Sequence, residues 1–136
     1  MISIIYGEKG TGKTSKIIAN ANTVASKGDI VFLSTTDRYR QEIKPQIKFV
    51  NCKDERVDNS QSLLGFIKGM LAANYDIEYI YIDGIYKMIN ATFDSDVMEN
   101  FFLSLDEIST NGTVTFVLTV SCAKEKLPAY INRYIK

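Results

Sequence analysis

A chain of 136 residues, 46% hydrophobic and 24% charged, has the composition of one globular domain and excludes a disordered or fibrous protein. Lys+Arg and Asp+Glu are equal at 16 each, so no global positive field holds nucleic acid or an acidic membrane by charge alone. Histidine is absent, which excludes His-based triads and every His-containing zinc site. The longest apolar runs are strand-length, far short of the ~20 residues of a membrane span. MISIIYG at the start shows no basic region or cleavage site of a secretory leader. Cys52 and Cys122 form neither a CxxC nor a disulfide framework, which suits two buried thiols in a reducing compartment. A cytoplasmic location is expected.

Ile2 to Tyr6 is a compact apolar strand. From Lys13 to Lys27, Ile17, Ile18, Ala21, Val24 and Ala25 follow one helical stripe, with Gly28 as the stop. Ile30–Leu33 is an unbroken apolar run, the pattern of a strand buried on both faces, and Ile47–Val50 is a shorter third strand. Asp58, Asn59 and Ser60 offer caps before a helix carrying Leu63, Leu64, Ile67, Met70 and Leu71. Glu78–Ile82 is a fourth strand. Asp94, Ser95 and Asp96 cap a helix whose inner side is expected to hold Val97, Met98, Phe101, Phe102, Leu105 and Ile108. Asn111-Gly112 ends it, and 114–120 is a fifth strand. Pro128 suits the first turn of a closing helix with Tyr130, Ile131, Tyr134 and Ile135. Strands separated by helices predict an α/β three-layer sandwich around a five-stranded, mainly parallel sheet, with residues 1–136 as a single domain.

Gly7-Glu8-Lys9-Gly10-Thr11-Gly12-Lys13-Thr14 matches G-x-x-x-x-G-K-[ST] at every fixed position, the P-loop or Walker A pattern. Each position has its own physical reason. Gly7 and Gly12 allow backbone angles and close approach that a Cβ would block. Successive N–H groups then form a nest for phosphate oxygens, and the following helix adds its N-terminal dipole. Lys13 is a mobile charge for the β- and γ-phosphates, and the Thr14 hydroxyl suits Mg²⁺. The nucleotide-contacting stretch runs from Gly7 to Ser15. Chance matches to the pattern arise in roughly 1% of chains this long. A strand directly before the loop and a helix directly after it sharpen the match.

In these residues the chain resembles the P-loop NTPases. The resemblance implies a second motif, an apolar strand ending in a metal-holding Asp, and Tyr79-Ile80-Tyr81-Ile82-Asp83 fits it. The carboxyl end of a buried strand is also where open α/β sheets bind ligands. An ordinary Asp83-Gly84 turn is the plain alternative. The polar end of the fifth strand is similar to the sensor position of the RecA-like branch, with Thr119 and Ser121 as candidates. That branch places the last strand between the phosphate-loop strand and the Asp strand. No N/T-K-x-D motif is present, which disfavours the GTPases and leaves ATP with Mg²⁺ as the expected ligands.

RecA-like enzymes often carry Glu directly after the metal Asp, where this chain has Gly84. Asp37, after the second strand, is the substitute candidate for orienting water, beside Lys13 as the charge on the transferring phosphate. Glu8 also lies close to the γ-phosphate in sequence terms, though its loop position favours solvent. Arg38, Arg40 and Arg133 are candidate arginine fingers or substrate clamps; surface charge is the alternative for each.

Three readings follow. The first is a RecA-like ATPase whose hydrolysis drives a change in a protein partner or homo-oligomer. The second is a small nucleoside or nucleotide kinase-like phosphotransferase, on the thymidine-kinase look of Thr35–Tyr39, though no lid-type insertion is present. The third is a nucleotide-dependent interaction module that does not hydrolyse. Nucleic acid stays open as a partner without support from charge, and no membrane is expected.

Overall fold

The computed structural model describes residues 1–25 and 28–135, so the expected helix end at Lys27 lies outside the described residues. Five strands form one sheet: β1 (Ile2–Gly7), β2 (Asp29–Ser34), β3 (Lys48–Asn51), β4 (Ile77–Ile82) and β5 (Thr115–Ser121). The order across the sheet is β1-β5-β4-β2-β3, and every pairing is parallel where a mainly parallel sheet was expected. β5 therefore lies between β1 and the strand that ends at Asp83. It starts at Thr115 rather than at Val114.

Helices cover both faces. Side chains alternate along each strand, so Ile30 and Phe32 face one way and Val31 and Leu33 the other. On the first face Ile17, Ile18 and Ala21 of α1 (Lys13–Val24) pack with Phe32, Phe49, Tyr81 and Val117. A row of near-parallel rings crosses this face, Tyr79 on Tyr81, Tyr81 on Phe32 and Phe32 on Phe49, with centroids 6.0–6.2 Å apart. On the opposite face α2 (Ser60–Ala73) and α4 (Asp96–Asn111) bury Leu63, Ile67, Phe101, Phe102 and Leu105 against Ile80, Ile82, Phe116 and Leu118. Burying each such side chain contributes about 1.5–3 kcal/mol.

Local chemistry explains the helix starts. Asn59 caps α2 in a reciprocal box, accepting from the Ser62 N–H at 2.8 Å while Ser62 Oγ accepts from the Asn59 N–H at 3.1 Å. Ser95 accepts from the Met98 N–H to cap α4. Val97, expected on the inner stripe of α4, is instead 49% exposed. At 100° per residue it sits roughly 90° from the centre of the Met98–Phe101–Phe102–Leu105 stripe. Between β4 and α4 lies α3 (Ile85–Met88), a single turn. The closing helix is also short: α5 spans Ala129–Asn132, with Pro128 just before its first turn. Ile131 and Tyr134 are buried all the same. Both cysteines are free and buried, and no described helix is long and apolar enough to cross a membrane.

Candidate functional site

The parallel sheet gathers its strand ends at one edge. Gly7 ends β1 opposite Ser121 of β5, and Ile82 of β4 lies between Leu118 and Leu33. Asp83 continues that register, its N–H donating to the Leu33 carbonyl at 3.0 Å. The loop 7–14 and Asp83 thus come together, although 69 residues separate Thr14 from Asp83.

The loop is held by its own backbone. The Glu8 carbonyl accepts from the Thr11 N–H at 3.3 Å, from the Thr11 hydroxyl at 2.7 Å and from Lys13 Nζ at 2.9 Å. Cys122 donates its N–H to the Gly7 carbonyl at 3.0 Å, tying the loop's start to the end of β5. A Cβ on Gly7 would lie 2.5 Å from Thr11 Oγ1, so the closure of the turn requires glycine there. Gly12 adopts φ 85 directly before α1 and offers no capping side chain. The first intrahelical bond is Lys16 N–H to the Gly12 carbonyl. The N–H groups of Lys13, Thr14 and Ser15 consequently have no hydrogen-bond partner among the described residues, which is the donor set of an anion nest.

Lys13 is buried, and loss of water pushes its pKa below the ordinary lysine value, an effect that the Asp83 carboxylate partly opposes. A buried ammonium with one carbonyl acceptor among the described residues is costly to desolvate. An anion beside it offsets that cost.

Thr14, Asp83, Thr119 and Gly84 form a continuous chain of hydrogen bonds. An ionised carboxylate only accepts, so Thr14 donates to Asp83 Oδ2 at 3.1 Å and Thr119 donates to Asp83 Oδ1 at 2.7 Å. The Thr119 oxygen in turn accepts from the Gly84 N–H at 2.6 Å. Each carboxylate oxygen is thereby fixed by a threonine from a different element. Because Thr14 gives its proton to Asp83, its lone pairs remain for a cation. Thr119, expected as a sensor, is 2% exposed, and its hydroxyl is spent holding Asp83 and the turn after it. Nothing in the local sequence announces this partnership across 36 residues.

The remaining candidates separate. Glu8, Lys9, Gly10, Thr11 and Ser15 are exposed along the loop, and Ser121 is exposed beside Gly7. Asp37 is engaged by Arg40 in an exposed ion pair at 2.8 Å, and this bond first of all holds its carboxyl below the usual range. Arg38 lies over the Tyr39 ring and Arg133 over the Tyr134 ring, with Arg133 also 3.3 Å from Asp106. Among the described residues, none of these four side chains bonds to the loop 7–14 or to Asp83.

Thr14 and Asp83 supply hard oxygen donors, which suits Mg²⁺, and the rest of an octahedral shell is ordinarily water and phosphate. No group of three or more His, Cys, Asp or Glu side chains able to hold a metal occurs among the described residues. No protein-family model matches the chain, and no curated protein is significantly similar to it.

Proposed function

We propose that this chain is a P-loop protein with a RecA-like core that binds ATP with Mg²⁺ and hydrolyses it, driving a conformational change in a protein partner or homo-oligomer. The observation that carries the reading is the convergence of Lys13, three unpartnered N–H groups and the Thr14–Asp83 pair at one sheet edge. Lys13 and the N–H groups would hold the β- and γ-phosphates, while Thr14 and Asp83 would hold the metal. The bound metal supplies charge neutralisation on the phosphates. The position of β5 between β1 and β4 supports the RecA-like branch over others.

A second reading has a specific observation in its favour. The residue after Asp83 is Gly84, its N–H given to Thr119, and Asp37 is tied to Arg40. Gly84 has no side chain to orient water and the Asp37 carboxylate is already engaged, which favours a nucleotide-dependent interaction module with slow or no turnover. Phosphate release from MgATP, measured without any acceptor, separates the two. Turnover that is lost in Lys13→Ala supports the ATPase. Tight ATP binding with no turnover supports the module, and turnover seen only with an added nucleoside would favour a phosphotransferase.

A further inference from the structure

The far edge of the sheet, away from the phosphate loop, is β3. Its pairing with β2 runs through the Cys52 N–H, which donates to the Ser34 carbonyl at 2.8 Å. Alternation along a parallel ladder turns Val50 toward β2 as well, and so turns the N–H and C=O of Phe49 toward the free edge. Neither group has a hydrogen-bond partner there among the described residues.

Three cavities flank this short edge, and Lys48 lines all of them. On the α1 side a cavity of about 450 Å³ is lined by Arg40, Lys44 and Lys48 over Phe49, with no carboxylate in its wall. The Arg40 guanidinium carbon lies over the Phe49 ring, 4.5 Å from its centroid. On the α2 side a cavity of about 490 Å³ is mainly apolar, with Val50, Phe66, Met70 and Ile77 in its wall. The third, about 320 Å³, carries the groove on toward Asp54 and Glu55.

From this arrangement we infer that β3 is a docking edge for an extended peptide segment of a partner protein, added as a sixth strand. Such a strand directs alternate side chains to opposite faces. Those on the α1 side meet Lys44, beside an Arg40 already paired with Asp37, and are acidic; those on the α2 side enter the apolar cavity. Asp54 and Glu55 repel carboxylates at the far end, so the acidic residues belong to the Lys44 end alone. A second copy is the poorer occupant. With a strand only four residues long, like-edge pairing brings the two Lys48 side chains close together. Lys48 and the shortness of β3 discourage indiscriminate strand pairing.

The test is an NMR titration of the ¹⁵N-labelled full chain, run without nucleotide so that it stands independently of the proposed ATP site. Two nine-residue peptides alternate valine with polar residues. One carries glutamate at the polar positions of one half and serine at the others; the second has lysine in place of each glutamate. The glutamate peptide is expected to shift the amides of Phe49 and Asn51 and to bind at least tenfold more tightly than the lysine peptide. Lys44→Glu with Lys48→Glu should remove that preference. N-methylation of the peptide's central valine, which leaves the protein untouched, should abolish binding by blocking the strand hydrogen bond. No shift at millimolar peptide, equal affinity for both peptides, or tolerance of N-methylation would overturn the inference. Self-association that Lys48→Glu abolishes would likewise overturn it, in favour of a second copy.

Discussion

Replacing Thr119 by valine removes one hydroxyl and little volume, and the structure sets the cost. The hydroxyl donates 2.7 Å to Asp83 Oδ1 and accepts 2.6 Å from the Gly84 N–H. Loss of a bond to a charged group costs about 1.5–3 kcal/mol and loss of a neutral one about 0.5–1.5 kcal/mol. Asp83 is only half-buried, so water replaces part of the first bond and the lower end applies. A total of about 2–3 kcal/mol is expected, or a melting temperature lower by roughly 6–9 °C for a chain of this size. Urea denaturation of the wild type, Thr119→Val and Thr119→Ser measures it. Serine keeps the hydroxyl and should recover most of the loss. A Thr119→Val stability within about 0.5 kcal/mol of wild type, or a serine variant no better than valine, would refute the reasoning.

Other outcomes follow from the same structure. Asp83→Asn should weaken ATP binding in the presence of Mg²⁺ more than in its absence, as read by calorimetry; an equal effect on both would contradict a metal role. Tyr81 is buried and its hydroxyl donates to Asn20 Oδ1 at 2.6 Å, so Tyr81→Phe should cost about 1 kcal/mol in urea denaturation. Burial pushes the Cys52 thiol up to about 11, with a smaller push from Glu55. The native state therefore holds that proton after the unfolded chain has lost it near 9. Cys52 thus contributes stability that is full below about pH 9 and is lost as pH rises toward about 11. Denaturation of wild type against Cys52→Ala across that range should show the gap narrowing, and a constant gap would contradict it.

Much of this fold is written in local patterns. The five strand runs and the stripes of α1, α2 and α4 follow from side-chain period alone, and the glycine spacing around Lys13 marks the loop. Asp83 was legible because an apolar run of β4 stops at it. Other features depend on contacts distant in sequence. Thr119 reads as an ordinary strand threonine until β5 is laid beside β4, when its hydroxyl meets Asp83 and Gly84. Asp37 and the arginines near it look free in sequence, yet Arg40 is shared between Asp37 and the Phe49 ring. Val97 is apolar by identity, yet its angle on the helix turns it away from the buried stripe. The basic and apolar cavities on either side of β3 have no signature in the run Lys48–Asn51, since their walls come from the segment around Lys44 and from α2.

Calorimetric titration of ATP with Mg²⁺ into the wild type and Lys13→Ala bears most directly on the site. Loss of a charge-assisted contact worth about 2–3 kcal/mol corresponds to binding weakened about 30- to 150-fold. The ligand-free variant should keep its fold, because Lys13 gives up only one bond to the Glu8 carbonyl and an unfavourable desolvation. Wild-type binding that collapses in a folded Lys13→Ala chain is the expected result. Equal affinity in the two proteins would contradict the assignment of residues 7–14 as a triphosphate cradle.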